Sequence, residues 1–479
     1  MSGYSYQEAI QNLYTGQVIE AENILIYQSL SDKRNVLDTI HRLATDDSQH
    51  PPLYYVFTRL WTGWFGDSIA TIRLLPALIS LLALPGMYWL CLELFASSSV
   101  GWMAMTLVAT SPIYVRYAQE ARQYSLWMVI ILLASATLLR AIRLKTAWNW
   151  SIYLLTLVMG LYCHVLFSLL ILAHGLYVAA IERFRLSKTT ISYLLVSLVA
   201  IIAFTPWLLT MWQHKETVLL STEWTKQPLL FSELVKYWNI NICRLFIAWH
   251  FRYDAMLVYL AIPILLLISV ATYTVCRHSS KRVWLFILIL ISTTTLPLLL
   301  PDLIWGGRRS TNARYFLPSY IGIDLIVAYF LSHPFTRKFT NAAFSKRWHI
   351  TAITLITSSV LTCAIAVQSN TWWGWSEFDI EISRIINDSS KPLIISDLPL
   401  GLIMPLSHQL HPDTKVVLVS KPELLVIPET ADRLFNSVFV YNPSDRLKVV
   451  IEQQGFQQEV VYQFKDGSLT LSLYQLQML

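Results

Sequence analysis

A chain of 479 residues with 55% hydrophobic and only 14% charged residues lies far from the composition of soluble globular proteins. Its formal charge is +6, but the positive residues fall in short loops between apolar runs, which indicates membrane topology and argues against nucleic-acid binding. The five cysteines lack CxxC spacing and predict neither a metal site nor a disulfide framework.

The first landmark is the motif Gln49-His50-Pro51-Pro52, where a polar, acidic leader meets the first apolar run. Two consecutive prolines suit the first turn of a helix, so a helix is predicted from here to about position 65. At about 14 residues it is shorter than the roughly 20 that span a bilayer. Its tyrosines and tryptophans favour the membrane–water interface, so we predict a helix lying in that interface.

Apolar runs that predict about ten transmembrane helices follow this motif. The long stretch from 149 to 181 is divided near His164 because it exceeds one helix. The predicted spans are 71–95, 99–116, 122–141, 149–164, 165–182, 190–212, 254–276, 283–303, 315–332 and 349–368.

Clusters of lysine and arginine in alternate short loops place those loops in the cytoplasm. The clusters lie at 140–145, 183–188, 277–282 and 337–347. The N-terminal segment, the loop around Glu120, residues 213–253, residues 304–314 and the C-terminus are then predicted to lie outside.

The composition changes after position 368. Short β-rich runs at 391–397, 415–420, 437–442, 459–464 and 469–476 alternate with helical patches such as 378–386. This pattern predicts a small α/β domain that closes with a hairpin turning at 465–467. The predicted fold class is an α-helical polytopic membrane protein with three parts: an extracytoplasmic segment 1–70 with interfacial helices, a transmembrane domain 71–368, and a soluble extracytoplasmic α/β domain 369–479.

The first candidate group on the outer face is Asp46, Asp47 and His50. These residues suit a polar cap before an interfacial helix. In the functional alternative, His50 meets a phosphate while a neighbouring aspartate serves as a base or a metal ligand.

The second group surrounds Glu120, the only acid in a short turn between two predicted spans. Arg116 and Arg122 suffice to neutralise it, which is the structural alternative. In the functional alternative this carboxylate faces a polar cavity, where it acts as a base or binds a divalent cation through oxygen. Tyr117 belongs to the same turn.

The third group is the late outer loop with Arg308, Arg309 and Arg314, followed by Tyr315. Three arginines in a loop that is predicted to lie outside run against the positive-inside trend. Two explanations for their position are bidentate phosphate binding and pairing with anionic lipid headgroups.

The fourth group is the aromatic segment 212–253, whose rings suit sugar stacking or an interfacial belt. It includes Trp224, Trp238, Trp249, His250 and Tyr253. His164 is interpreted as a packing residue.

Four segments in register resemble glycosyltransferase family 39, integral-membrane enzymes of the GT-C fold that are related to protein O-mannosyltransferases and to the aminoarabinose transferase of lipid A. They are His50 to Tyr55, 73–78, 111–124 and 314–318. The resemblance covers roughly residues 40 to 330. It implies a bacterial inner-membrane enzyme that takes a sugar from a polyprenyl-phosphate donor on the extracytoplasmic side and inverts the anomeric centre.

The resemblance also implies roles for the charged outer residues. The resemblance implies that His50 contacts the donor phosphate and that Glu120 is an acid of the site. By their charge Arg308 and Arg314 are expected to be phosphate partners, and Glu120, or else Asp46 or Asp47, is expected to be the catalytic base. The residues expected to line the substrate are Tyr54, Tyr117, Arg122 and Tyr315. The acceptor is a protein, a lipid or a polysaccharide, no nucleic acid is involved, and no cofactor is assigned, although a divalent cation stays open.

One departure from the family pattern affects the beginning of the chain. Such enzymes start with a transmembrane helix followed by an acidic motif, typically Asp-Glu, whereas Met1 corresponds to the middle of the first outer loop. We expect either a start further upstream or a truncated copy. A truncated copy suits a non-catalytic protein that binds the lipid carrier.

A transporter of lipid-linked sugars is the other alternative. It predicts charged residues at mid-depth in several spans and often an internal repeat. Neither feature is evident, because the ionisable residues cluster at the ends of the predicted helices.

Overall fold

The chain, seen in a computed structural model, divides into two units, one of residues 1–42 with 371–479 and the other of residues 43–370. The structure describes residues 2–31, 33–248, 255–336, 342–369, 377–427, 435–466 and 469–478. The turn at 465–467 extends beyond these residues, as do parts of the predicted loops 213–253 and 337–347.

Most of the chain is helical. In chain order the α-helices are α1 Tyr6–Leu13, α2 Ala21–Leu25, α3 Val36–Asp46, α4 Leu53–Phe65, α5 Ile69–Leu81, α6 Ala83–Phe95, α7 Ser98–Thr110, α8 Pro112–Gln119, α9 Tyr124–Leu144, α10 Ala147–Cys163, α11 Phe167–Ile181, α12 Lys188–Gln213, α13 Lys215–Thr222, α14 Phe231–Cys243, α15 Ala255–His278, α16 Lys281–Ile304, α17 Leu317–Thr336, α18 Ala342–Gln368, α19 Glu377–Asn387, α20 Leu400–Ser407 and α21 Asp445–Gln453.

Seven helices among the described residues have the length and apolar composition needed to cross a bilayer. They are Ile69–Phe95, Tyr124–Leu144, Lys188–Gln213, Tyr259–His278, Lys281–Ile304, Ala313–Ser332 and His349–Gln368. The other three predicted spans coincide with the shorter apolar helices α7, α10 and α11. The chain is therefore a multi-pass membrane protein, as predicted.

Local sequence explains where the helices near the outer loops begin and end. α4 starts directly after Pro51-Pro52 and stops at Gly66, whose φ of +86° favours glycine. α8 begins with Pro112 at its first turn. His164 has extended dihedral angles of −154° and 130° and separates α10 from α11, so the predicted division of this long run is confirmed.

The first unit contains a six-stranded sheet in the order β1-β3-β2-β4-β6-β5. Its strands are β1 Thr15–Glu20, β2 Pro392–Ser396, β3 Lys415–Val419, β4 Ser437–Tyr441, β5 Phe456–Asp466 and β6 Leu469–Met478. β2 runs parallel to β3 and β4, whereas β1, β5 and β6 join antiparallel. Separate apolar clusters cover the two faces, with residues of α1, α19 and α20 on one face and of α21 on the other. The predicted small α/β domain is confirmed.

The position of the N-terminal residues differs from the predicted division at 70 and 368. β1 pairs with β3 in the register Glu20 opposite Lys415, and α1 packs into the core through Ala9 and Leu13. Residues 1–42 therefore complete the α/β unit and do not form one loop with 43–70. A strand that finds its partner almost 400 residues later along the chain leaves no local signal in the sequence.

Cysteines placed at Glu20 and Lys415 should form a disulfide, because directly opposed residues of an antiparallel pair bring their Cβ atoms within bridging distance. We expect a mobility shift on non-reducing gels in a background that carries Cys276→Ser, which removes an exposed thiol. The pair Gln17→Cys with Lys415→Cys, which is out of register, is the control. Equal cross-linking of the two pairs would contradict the register of β1.

Candidate active site

The His50 motif lies in the turn between α3 and α4. The Nδ1 atom of His50 is 2.9 Å from Oδ2 of Asp47, and the His50 amide donates to the Asp47 carbonyl at 2.9 Å. His50 is largely buried, whereas the Asp47 side chain is 42% exposed. The Asp47 carboxylate therefore orients the imidazole through Nδ1. The Nε2 atom of His50 stays available for other partners.

Residues beside His50 are fixed by the helical unit around them. The indole Nε1 of Trp207 donates to the carbonyl of buried Ser48 at 3.0 Å, and the hydroxyl of Ser221 donates to Oε1 of Gln49 at 2.8 Å. Because both contacts come from α12 and α13, the position of the motif depends on packing that lies far along the chain.

Tyr54 and Tyr55 on α4 have different partners. The hydroxyl of Tyr55 donates to Oε1 of Gln123 at 3.2 Å and so connects α4 with the Glu120 loop. Tyr54 is fully buried, and within the described residues its hydroxyl has no hydrogen-bond partner. Burial raises the pKa of both phenols, so both stay protonated donors.

Glu120 follows α8 in an extended conformation, and its carbonyl accepts the amide of Arg122 at 2.6 Å. Among the described residues its carboxylate makes no ion pair within 4.0 Å with Arg116 or Arg122. Glu120 nevertheless acts electrostatically on Arg122. Burial lowers the pKa of Arg122. The oxygens of Tyr124, Tyr55 and Glu120 together raise this pKa by more than burial lowers it, so the net shift is upward.

Arg314 lies between two aromatic rings. Its Cζ atom is 5.5 Å from the ring centroid of Tyr124 and 5.4 Å from that of Tyr315, a cation–π geometry. The ring of Tyr117 lies 5.2 Å from that of Tyr124. The Nε atom of Arg314 is buried and has no hydrogen-bond partner in the described part of the chain. A half-buried guanidinium without an acidic partner among the described residues is well placed to receive an anion.

The other arginines of the late loop have separate functions. Arg309 pairs with Asp302 at 2.9 Å, and the second oxygen of Asp302 accepts both the amide and the hydroxyl of Ser310 at 2.7 Å. Arg309 is therefore structural. The amide of Arg308 donates to the carbonyl of Thr225 at 2.8 Å, while its buried Nε has no partner within the described residues.

His164, interpreted from sequence as a packing residue, lies within this group. It is 5% exposed and stacks on Trp127 with 4.0 Å between centroids and 7° between planes. Its ring lies 6.4 Å from that of Tyr315. It occupies the break between α10 and α11, outside the seven long helices, where burial, together with His50 and Arg314, lowers the pKa of His164 to about 3. Its stacking partner Trp127 lies far away in the sequence, so the sequence carries no local signal of this contact.

Asp324 is a further polar residue that the sequence did not indicate. It is fully buried within α17, and its Oδ2 atom accepts the hydroxyl of Tyr114 at 2.7 Å. The expectation that ionisable residues cluster at helix ends is therefore incomplete. The contact joins α8, which leads to Glu120, to α17, which follows Arg314.

The structure thus brings most of the predicted site residues into one neighbourhood. Its members are Asp47, His50, Tyr54, Tyr117, Glu120, Arg122, Arg314 and Tyr315. Arg308 has no described contact with them. Trp249, His250 and Tyr253 lie outside the described residues. Within those residues no three histidine, cysteine or acidic side chains gather in a way that suits a metal ion.

The model of the dolichyl-phosphate-mannose-protein mannosyltransferase family matches residues 49–212. The match confirms the resemblance predicted from the motifs. It includes His50, Glu120, Arg122 and His164, and it ends before Arg314. No curated protein sequence matches the chain.

Three solved structures illustrate the similarity of fold. ArnT from Cupriavidus metallidurans bound to undecaprenyl phosphate has 12% identity and a TM-score of 0.49, covering 89% of this chain and 88% of that one. The arabinofuranosyltransferase AftD from Mycobacteria has 12% identity and a TM-score of 0.48, covering 92% and 37%. The oligosaccharyltransferase of Archaeoglobus fulgidus has 12% identity and a TM-score of 0.46, covering 89% and 68%. At these values no role is transferred to individual residues.

Tyr114→Phe should lower the thermal unfolding midpoint in detergent more than Asp324→Asn does. The phenylalanine leaves a fully buried carboxylate without its donor, at a cost of about 1–3 kcal/mol, whereas asparagine still accepts from Tyr114. Tyr162→Phe, which removes a hydroxyl from an exposed hydrogen bond to Ala203, is the control. A Tyr114→Phe midpoint equal to that of the control would contradict the connection between α8 and α17.

Proposed function

We propose that this protein is a membrane glycosyltransferase that transfers a sugar from a polyprenyl-phosphate donor to an acceptor on the extracytoplasmic face, with inversion. The observation that carries the proposal is the half-buried guanidinium of Arg314, whose buried Nε has no hydrogen-bond partner and which has no acidic partner among the described residues. The family match supports the donor class, because the family is named for dolichyl phosphate mannose, a polyprenyl-phosphate sugar.

In this proposal the donor phosphate lies against Arg314 and His50. Both residues act electrostatically on His164, which supports this arrangement. Arg314 supplies a fixed charge, and the Asp47 carboxylate holds the His50 imidazole through Nδ1. Arg308 is a second arginine of the loop whose Nε has no partner within the described residues.

Glu120 is the proposed general base. The acceptor oxygen attacks the anomeric carbon from the face opposite the phosphate, while the bond from that carbon to the phosphate oxygen breaks. The electron pair leaves with the polyprenyl phosphate, whose charge Arg314 stabilises, and the acceptor proton passes to Glu120. Glu120 suits this role because its carboxylate is not engaged by an ion pair in the described part of the chain.

The lysine- and arginine-rich loops between helices support the orientation of the site. With those loops in the cytoplasm of a bacterial inner membrane, the Glu120 loop and the Arg314 loop lie on the extracytoplasmic face. The lipid donor then extends into the bilayer, and a protein, lipid or polysaccharide acceptor approaches from outside.

Glu120→Gln should lower kcat about a thousandfold, because it removes the base. Arg314→Gln should lower kcat/KM for the donor about a hundredfold, because it removes stabilisation of the leaving phosphate. The measurement is the transfer of radiolabel from undecaprenyl-phosphate mannose, glucose or 4-aminoarabinose to protein, lipid and polysaccharide fractions in proteoliposomes supplemented with bacterial envelopes. Arg185→Gln, an exposed arginine in a distant loop, is the matched control.

Full activity of both variants would contradict the site. Movement of labelled donor across the proteoliposome membrane without any labelled product would contradict the enzyme and favour a transporter. Binding of donor with neither transfer nor movement would favour a non-catalytic carrier-binding protein.

Asp47→Asn should raise the donor KM about tenfold and leave kcat close to the wild-type value. Asparagine still accepts from Nδ1 of His50, but it removes the negative charge beside the imidazole and so weakens that hydrogen bond. The comparison with Glu120→Gln identifies the base, because only loss of the base removes the acidic limb of the pH profile of kcat. If Asp47→Asn loses that limb and Glu120→Gln retains it, Asp47 is the base.

A further inference from the structure

His164 is held as a neutral imidazole with a fixed tautomer. The backbone amide of Leu166 donates to its Nδ1 atom at 3.1 Å. Because a backbone N–H can only donate, Nδ1 carries no proton, and the proton of the neutral ring is assigned to Nε2. Within the described residues the Nε2–H group donates to no acceptor. The ring therefore presents one uncharged donor.

The direction of this donor is fixed by packing. The imidazole lies parallel to the indole of Trp127, and its plane makes an angle of 64° with the ring of Tyr315. His164 is almost fully buried, so rotation of the ring requires the loss of both contacts.

Two further donors without acceptors lie beside His164. The Nε1 atom of Trp127 and the Nε2 atom of Gln123 are buried and have no hydrogen-bond partner in the described part of the chain. These residues are four positions apart at the start of α9 and so share one face. Gln123 is oriented by Tyr55, which donates to its oxygen, and its carbonyl contacts the thiol of Cys163 at 3.7 Å. Because buried donors without acceptors are rare, the indole and the amide indicate a missing ligand beside the imidazole.

These donors differ in charge from their neighbours. His50 and Arg314, which act electrostatically on His164, are the groups suited to phosphate. The imidazole, indole and amide are neutral and combine N–H donors with aromatic faces, which is the chemistry that recognises the hydroxyl oxygens and the ring of a sugar. We propose that Gln123, Trp127 and His164 form the subsite for the sugar of the donor, an inference that rests on the proposed function.

Two substitutions of His164 separate the donor from the structural contact. Asparagine places its oxygen near the position of Nδ1 and keeps the acceptor for Leu166, but it lacks the Nε2 donor. Glutamine places its amide nitrogen near the position of Nε2 and keeps the donor. Both variants lose the stacking on Trp127, so they are matched in that respect. Thermal unfolding midpoints in detergent show whether each variant is folded.

The experiment measures dissociation constants of the full-length protein in detergent for undecaprenyl phosphate and for the same lipid carrying mannose, glucose or 4-aminoarabinose. We expect the wild type to bind at least one sugar-bearing lipid more tightly than the bare phosphate. His164→Asn should weaken that complex about tenfold and leave the affinity for undecaprenyl phosphate unchanged. His164→Gln should restore most of the loss, and Arg314→Gln should weaken both complexes.

Equal weakening of both lipids by His164→Asn, or no weakening of either, would overturn the sugar subsite while leaving the phosphate site in place. A wild type that binds all lipids equally would overturn it as well. A wild type that binds none of the lipids would overturn the proposed function and the subsite with it.

Discussion

The half-buried charge of Arg314, whose Nε atom is fully buried, is the constraint on which the candidate site depends. Transfer of a guanidinium from water into a packed interior is costly unless an anion or oriented electron density compensates. Tyr124 and Tyr315 supply part of this through their ring faces, at 5.5 and 5.4 Å. Because one ring begins α9 and the other precedes α17, the charge also joins two helices. The remaining compensation has to come from a ligand or from water.

The surrounding contacts keep that charge available. Asp302, near the end of α16, is occupied by Arg309 and Ser310, so this acid does not neutralise Arg314. The Tyr114–Asp324 contact is likewise internal and fixes α8 against α17. These two buried acids therefore fix the positions of neighbouring elements, while Glu120 and Arg314 make no ion pair within the described residues.

Features set by neighbouring residues were predictable from sequence, and features set by distant packing were not. Prolines at 51 and 52 predicted the start of α4, and the isolated acid at 120 predicted the loop where the site lies. β1 escaped prediction because it is a largely exposed edge strand without alternation, and its partner lies at the other end of the chain. The stacking of His164 on Trp127 escaped prediction because the two residues lie far apart along the chain.

The two ends of α9 differ in a way that bears on the choice between an enzyme and a transporter. At its C-terminal end Arg143 makes two hydrogen bonds to Glu93 at 3.0 and 2.9 Å, and this acid is 5% exposed, so the buried charge is neutralised there. At its N-terminal end Arg314 rests on Tyr124 without an acidic partner among the described residues. Substrate sites of transporters lie near the middle of the bilayer, between helices. On α9 the charge without an acidic partner lies at one end only, an arrangement that suits a reaction carried out at one face.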